Sequence, residues 1–221
     1  YVPTVTGPGH ASIYTGATPA INGIIGNEWY DKNTKRDVYC AEDSSVQPVG
    51  TDNKDSRRSP VLMLTTTIGD QLRFHTSMRS KVFGVAWKDR GAILPAGHRA
   101  NGAFWFDFGS GNFVTSTYYM QQLPAWVQQF NRKQLPEHYL NQQWNSLLPA
   151  EKYSEIDDVP YEIPYRGFTK AIFPYDLKKL RENTSPGIIA STPFGNTLTV
   201  DFAIAAIEGE NLGLNTVPDM L

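Results

Sequence analysis

The sequence predicts an α/β protein, in which a mostly parallel sheet lies between helices and carries an irregular insertion. Three observations lead to this fold class. Residues 81–87 have the character of a buried strand in a parallel sheet. Residues 102–107 and 112–116 are typical of a hairpin, because the Gly-rich segment 108–111 between them can form the turn. From residue 192 onward, apolar side chains recur at helical spacing.

The other helices are weaker predictions. Residues 9–15 should form a short helix that stops at a glycine. Residues 60–73 show helical spacing of leucine and isoleucine, although three threonines weaken it. Residues 124–132 begin with proline, which favours a helix start. Residues 17–27 and 31–60 are predicted to be loops.

The final helix has the clearest start signal. Thr192 suits the N-cap and Pro193 the first helical position. By contrast, residues 133–190 contain many prolines and aromatic residues without a long period. The chain is therefore divided into a partial core (1–132), an irregular cap or insertion (133–190) and a helix that returns to the core (191–221).

Composition sets limits on the class of protein. Of 221 residues, 40% are hydrophobic and 12% aromatic, which is enough apolar surface for a core. The formal net charge is -2 and no basic block is present, so neither a nucleic-acid polymer nor an anionic membrane is expected as the main partner. No apolar run approaches the roughly 18 residues needed to span a bilayer.

Cysteine content and the chain ends carry less information. Cys40 is the single cysteine, so this sequence has neither an internal disulfide nor a Cys cluster for a metal. That is compatible with the cytoplasm and with the periplasm. The chain opens on Tyr1 and ends in a loop-like segment, 215–221, so we expect it to be part of a longer protein.

Thr6 is the first candidate for chemistry. It stands before Gly-Pro-Gly and a predicted helix, where free N–H groups and the helix dipole favour an anion. A hydroxyl in that position can become a nucleophile when a bound metal lowers its pKa. The alternative is an ordinary threonine cap, which the local pattern alone favours.

Lys88 and Arg90 follow directly on the predicted buried strand, and ligands of α/β folds bind beyond the carboxyl ends of strands. A lysine point charge and an arginine fork can clamp a phosphoryl group. The alternative is a solvated Lys-Asp-Arg turn, which is the better reading of the pair by itself. Asn27, beside Gly26, either forms a turn or donates to a phosphate oxygen.

The remaining titratable residues give no clear site. The histidines at 10, 75, 98 and 138 are scattered, and none is spaced from another as metal ligands are. His10 is interpreted as a packed residue or one supporting the site. The acidic pairs in the insertion are interpreted as a solvated face. No Walker-type loop, GxSxG motif or dinucleotide fingerprint is present.

Taken together, these signals resemble the alkaline phosphatase superfamily. The segments 1–16 and 23–31 are similar to its nucleophile region, above all in the phosphate-irrepressible bacterial alkaline phosphatases with a threonine nucleophile. Lys88-Asp89-Arg90 resembles the Lys-x-Arg phosphate clamp of that branch, and the start of the helix at 191–197 is also similar. The resemblance implies part of an alkaline-phosphatase-like α/β/α core.

The resemblance also implies a function. It assigns Thr6 as nucleophile and zinc contact in a two-zinc site, and Asn27, Lys88 and Arg90 as ligands of the phosphoryl group, with Gly7 beside them in the substrate site. The substrates would be small phosphate monoesters, and the full-length hydrolase would be periplasmic or secreted. The family's other zinc ligands, aspartates and histidines, would lie before Tyr1 and after the last predicted helix. We therefore expect these 221 residues alone to bind zinc weakly and to have little activity.

Two rival functions remain open. One is a nucleotide pyrophosphatase or phosphodiesterase of the same superfamily, although the Lys-x-Arg pair favours monoesters. The other is a non-catalytic binding or structural module on the same scaffold.

Overall fold

The structure is a computed structural model that describes residues 4–221, so the predicted motif residues 1–3 lie outside it. Two compact units are present. The first contains residues 4–107, 112–133 and 199–221, and the second contains 108–111 and 134–198. The second unit differs from the predicted insertion because it also includes 108–111 and 191–198.

The strands of the first unit form a hairpin and a separate four-stranded sheet. The hairpin pairs β1 (Glu28–Asp31) with β2 (Arg36–Tyr39). The sheet contains β3 (Pro48–Val49), β4 (Phe83–Ala86), β5 (Gly102–Asp107) and β6 (Asn112–Ser116), in the order β3-β6-β5-β4. The buried strand and the hairpin β5–β6 are confirmed.

The predicted α/β fold class is confirmed, although in the part of the chain described the sheet is mixed and not mostly parallel. Strands β4 and β5 are parallel, but β5–β6 and β6–β3 are antiparallel, so the sheet is mixed. The short turn between β5 and β6 requires this, because only antiparallel strands can be joined so tightly. A single parallel bridge joins Val82 to Met220 beside β4.

Eight α-helices are described. Those of the first half are α1 (Thr6–Thr15), α2 (Pro19–Asn22), α3 (Ile68–His75) and α4 (Asp89–Ala96). They are followed by α5 (Ala125–Arg132), α6 (Leu135–Leu140), α7 (Leu177–Arg181) and α8 (Pro193–Glu210). No helix within residues 4–221 is both long enough and apolar enough to cross a membrane.

Several predicted boundaries change for identifiable reasons. Helix α1 begins three residues earlier than predicted, and α3 begins later because Thr67 and Asp70 form a capping box at its start. The predicted loop 31–60 contains β2, β3 and a 3₁₀ turn, Lys54–Ser56. The helix predicted at 124–132 is confirmed from Ala125, with Pro124 at its N-cap.

The core of the first unit has two parts. An aromatic cluster surrounds Phe202, whose ring stacks on Phe113 with centroids 3.8 Å apart. A second buried cluster joins Ala11 of α1, Leu94 of α4 and Cys40 after β2, together with Ile24 and Met63. This second cluster holds α1, α4 and the β1–β2 hairpin together, and the candidate site is built on these three elements.

The second unit contains α6, α7 and a short pair of strands, β7 (Gln143–Trp144) and β8 (Tyr175–Asp176). Trp144 and Tyr175 are central to a group of aromatic rings whose centroids lie 5.0–5.5 Å apart in most pairs. Arg181 forms an ion pair with Glu137, 2.8 Å from nitrogen to oxygen. The prediction of an irregular segment therefore missed these short elements.

Candidate active site

Thr6 is the first residue of helix α1 and is half-buried. Val5 occupies the N-cap position, so the interpretation of Thr6 as a helix cap is wrong. Within residues 4–221, the Thr6 hydroxyl has no hydrogen-bond partner. A half-buried hydroxyl at the positive end of a helix dipole is therefore available to a ligand.

The first turn of α1 has fewer free donors than the sequence predicted. The Gly7 N–H donates to Asn27 Oδ1 at 2.7 Å, and the Gly9 N–H donates to the Val5 carbonyl at 2.9 Å. Pro8 has no N–H. The Gly7 backbone therefore binds Asn27 in this structure, and the remaining attraction for an anion comes mainly from the dipole and from side chains.

Asn27 is oriented by its bond to Gly7. Because Oδ1 accepts from the Gly7 N–H, the Nδ2 group remains as a donor, and it has no hydrogen-bond partner in the described part of the chain. The Asn27 carbonyl accepts from the Cys40 N–H at 2.9 Å. Asn27 is therefore held on both sides, with its amide donor beside the start of α1.

Gly7 permits this close approach. A Cβ atom at Gly7 would lie 3.1 Å from Asn27 Oδ1, 3.1 Å from Cys40 Sγ and 3.2 Å from the Gly26 carbonyl oxygen. These distances are shorter than ordinary van der Waals contacts. Any larger residue would displace Asn27 or Cys40.

His10 lies one turn along α1, and its Nδ1 is 2.8 Å from the Thr6 carbonyl oxygen. An imidazole at that distance from a carbonyl donates through Nδ1, which sets the tautomer of the ring. The contact places His10 against the backbone of Thr6, where it can support the first turn of the helix.

Arg90 lies in the first turn of α4, where it belongs to a network of charged and aromatic side chains. Its Nη1 donates to the Tyr39 hydroxyl at 2.8 Å, and the Tyr39 hydroxyl donates to Asp89 Oδ1. Arg58 Nε lies 2.7 Å from Asp89 Oδ2, and the Arg58 guanidinium carbon lies 4.2 Å from the centre of the Tyr39 ring. The Arg90 side chain is therefore held by other side chains, and the interpretation of Arg90 as part of a solvated turn is wrong.

Lys88 differs from Arg90. It is exposed at the N-cap of α4 and has no ion-pair partner within residues 4–221. Its side chain is free to move, which suits a point charge that approaches a ligand from solvent.

The electrostatics of the network keep its groups in fixed protonation states. Burial, with the nearby Asp89 carboxylate, raises the pKa of Tyr39 well above its ordinary value. Burial, with the same carboxylate, raises the pKa of the Cys40 thiol to about 12. Burial opposes the charge on Arg90, but the hydrogen bond to Tyr39 and the Asp89 charge leave the pKa of Arg90 above its ordinary value. Tyr39 and Cys40 are thus neutral and Arg90 cationic at neutral pH.

The site residues meet around the base of the β1–β2 hairpin. Asn27 precedes β1, and Tyr39 ends β2 opposite Glu28. Cys40, which follows β2, lies against Gly7, and the buried cluster of Ala11, Cys40 and Leu94 packs α1 and α4 together beside the hairpin. The elements that carry Thr6, Asn27 and Arg90 are therefore packed together, and Lys88 is exposed two residues before Arg90.

The sequence predictions missed Tyr39, Asp89 and Arg58. Asp89 stands between the two predicted clamp residues, and that position was the available signal. Tyr39 and Arg58 lie in a segment predicted to be loop, so nothing local marked them.

The metal implied by the resemblance is tested on the donor groups present. The Thr6 hydroxyl fits the role of one oxygen ligand. Within residues 4–221, however, no group of three or more His, Cys, Asp or Glu side chains is placed to hold a metal ion. The described residues therefore do not form a complete zinc site.

Comparison with known proteins gives a consistent family. Residues 1–182 match the model of the type I phosphodiesterase / nucleotide pyrophosphatase family. Alkaline phosphatase PhoV of Synechococcus elongatus is 51% identical over 100% of this chain and 40% of its own length. Alkaline phosphatase PafA of Elizabethkingia meningoseptica is 49% identical over 100% of this chain and 41% of its own.

A protein of Myroides odoratus named calcium-transporting ATPase is 50% identical over 97% of this chain and 40% of its own. The crystal structure of wild-type PafA covers 100% of this chain and 43% of that one, with a TM-score of 0.95 and 48% identity. A PafA mutant with one threonine, one asparagine, one lysine and one arginine replaced matches with a TM-score of 0.94 and 47% identity. The chain spans about 40% of the length of the curated relatives it matches.

Proposed function

Since the chain belongs to the type I phosphodiesterase / nucleotide pyrophosphatase family of the alkaline phosphatase superfamily, we propose that the whole protein hydrolyses phosphate monoesters. Thr6 is the nucleophile, and Asn27, Lys88 and Arg90 bind the phosphoryl group. One observation carries this proposal: the unpartnered Thr6 hydroxyl, the Asn27 amide and the Arg90 guanidinium belong to elements that one buried cluster packs together around the β1–β2 hairpin.

The pattern of residues in the PafA mutant supports the assignment. Its replaced threonine and asparagine are separated by the same interval as Thr6 and Asn27, and its lysine and arginine by the same interval as Lys88 and Arg90. The same four residue types therefore occur in the same order in both chains.

The reaction takes place in two displacements. The Thr6 oxygen attacks phosphorus and releases its proton to solvent, while the bond from phosphorus to the leaving alcohol breaks and the alcohol oxygen takes a proton from solvent. A phosphothreonine remains. Water then attacks phosphorus, the bond to Thr6 breaks, and inorganic phosphate leaves as the hydroxyl is restored.

The described residues have separate tasks in these steps. The Asn27 Nδ2 group donates to a non-bridging oxygen, and Arg90 offers charged donors that strengthen as negative charge builds on the phosphoryl group. Exposed Lys88 adds a second positive charge. In the whole protein, Thr6 would be one of the groups that hold zinc, which would supply a lowered hydroxyl pKa and positive charge beside the phosphate. Thr6 is the one residue here that we assign to zinc.

These 221 residues alone are proposed to bind zinc weakly and to turn over little substrate, because the resemblance puts the other ligands outside them. Zinc content and turnover of the 221-residue chain, measured beside those of the whole protein, test this. Robust zinc-dependent hydrolysis by the shorter chain would overturn it. The whole protein is further proposed to be periplasmic or secreted, which cell fractionation would test.

The decisive experiment uses the whole protein with an aryl phosphate. Thr6→Ala should abolish turnover, whereas Thr6→Ser, which keeps a hydroxyl, should retain some. Mass spectrometry of rapidly quenched reactions should find phosphate on the peptide that contains Thr6. A protein that holds no zinc and tolerates Thr6→Ala would instead be a non-catalytic module.

The family description favours a second candidate, a phosphodiesterase or nucleotide pyrophosphatase. A monoester carries one more negative charge than a diester, so Lys88 and Arg90 should matter more for monoesters. Replacing both with alanine should reduce hydrolysis of an aryl monoester far more than that of an aryl diester. Equal losses, with faster diester turnover by the unmodified protein, would favour the second candidate.

A further inference from the structure

Tyr39 links the Arg90 guanidinium to a carboxylate. The Tyr39 hydroxyl has one proton, which it donates to Asp89 Oδ1, so its lone pairs are left to accept from Arg90 Nη1 at 2.8 Å. The direction of this bond is therefore fixed by Asp89. Arg90 Nε is buried without a hydrogen-bond partner in the described part of the chain. Among the described residues, the Tyr39 hydroxyl is therefore the side-chain group that accepts a hydrogen bond from this guanidinium.

Arg58 balances the charge of Asp89. The Arg58–Asp89 pair is largely shielded from solvent, with side-chain exposures of 17% and 13%, and Arg58 also stacks on the Tyr39 ring. Because Arg58 neutralises the carboxylate, the positive charge of Arg90 remains for a ligand. Without the Tyr39 hydroxyl, the nearest anion to Arg90 would be Asp89, and direct pairing would draw the guanidinium out of place.

We propose that Tyr39 and Asp89 are positioning residues that orient the Arg90 guanidinium toward the phosphoryl group, with Arg58 as the counter-charge of Asp89. The inference rests on the proposed function. The β1–β2 hairpin is central to it, because Asn27 immediately precedes its first strand and Tyr39 ends its second. The two phosphate-binding side chains are therefore placed by one scaffold.

The test is a double-mutant cycle in the whole protein, with an aryl phosphate as substrate and inorganic phosphate as inhibitor. Tyr39→Phe keeps the ring that Arg58 stacks on and removes only the hydroxyl. A hydrogen bond to a charged group is expected to matter by about tenfold, so kcat/KM should fall and the phosphate inhibition constant should rise by about that factor. In an Arg90→Ala background, Tyr39→Phe should change either quantity less than about twofold, because it acts through Arg90.

A matched control comes from the same hairpin. Tyr30 is an exposed tyrosine of β1, and Tyr30→Phe should leave both constants unchanged. Thermal unfolding of each variant shows whether it folds. Asp89→Asn keeps an oxygen acceptor but removes the charge, so it allows a second double-mutant cycle with Arg90→Ala. Its effect on kcat/KM and on phosphate inhibition should also disappear in the Arg90→Ala background.

The outcomes separate the two levels of inference. If the unmodified protein has no phosphatase activity, or Arg90→Ala has none of the expected effect, the proposed function fails. If Arg90→Ala impairs the enzyme but Tyr39→Phe and Asp89→Asn do not, or if their effects persist undiminished without Arg90, the positioning role is overturned while the function stands.

Discussion

Gly7→Ala is the substitution that most directly tests the geometry of the candidate site. The new methyl group would meet Asn27 Oδ1, Cys40 Sγ and the Gly26 carbonyl oxygen at 3.1–3.2 Å. Each contact must lengthen by a few tenths of an ångström. The Asn27 amide is the most easily moved of the three, since Gly26 contributes backbone and Cys40 is buried.

The expected stability change is modest. Overpacking of this kind costs about 1–3 kcal/mol, while replacing a helical glycine by alanine returns about 0.5–1 kcal/mol. The free energy of unfolding should therefore fall by no more than about 2.5 kcal/mol. Activity should suffer more, because displacement of the amide weakens both the 2.7 Å bond to the Gly7 N–H and the donor offered to phosphate. We expect kcat/KM to fall by about tenfold.

Urea unfolding and aryl phosphate kinetics of the whole protein measure the two effects. Gly91→Ala is a matched control, because Gly91 lies in the first turn of α4 as Gly7 lies in the first turn of α1. A Cβ at Gly91 would meet only the Ala86 methyl carbon, at 3.2 Å. In an Asn27→Ala background, Gly7→Ala should cost much less activity. Unchanged activity in Gly7→Ala, or a loss that is the same with and without the Asn27 side chain, would refute the reasoning.

Two further predictions concern buried titratable groups. Burial opposes the charge of Asp70, but the His98 ring and three backbone N–H groups lower its pKa, so its stabilising effect is present above pH 4 and lost as the pH falls. Asp70→Asn should reduce the free energy of unfolding by about 1–3 kcal/mol at pH 7. The difference from the unmodified protein should shrink as the pH falls below about 4, and a pH-independent difference in urea titrations would contradict this. Cys40 should resist a thiol reagent at pH 8 until the protein unfolds, because burial keeps the thiol protonated, and rapid labelling of folded protein would be the contrary result.

The elements that were predicted correctly depend on nearby residues. The hairpin β5–β6 follows from two runs rich in aromatic and β-branched residues around a Gly-rich turn. Helix α8 follows from Thr192-Pro193 and a long apolar period. Helix α3 shows the limit of this reasoning. The helical spacing of apolar residues predicted a start at residue 60, which is too early. The capping box formed by Thr67 and Asp70 sets the first helical residue.

The β1–β2 hairpin was missed because its strands are short and polar on one face, so that pairing across strands, and not propensity, stabilises them. That omission mattered for the site. With Tyr39 placed in a loop, no reason existed to connect it with Arg90, which is 51 residues away.

The sequence by itself determined which chemical groups are available: a threonine before a glycine-rich helix start, an asparagine after it, and a lysine and arginine after a buried strand. Tertiary structure alone decided how they are used. It left the Thr6 hydroxyl without a capping role, turned the Gly7 N–H toward Asn27 and joined Arg90 to Tyr39 and Asp89. The reason is physical: a residue type fixes what a side chain can donate or accept, but its partner is chosen by packing between segments that lie far apart in the chain.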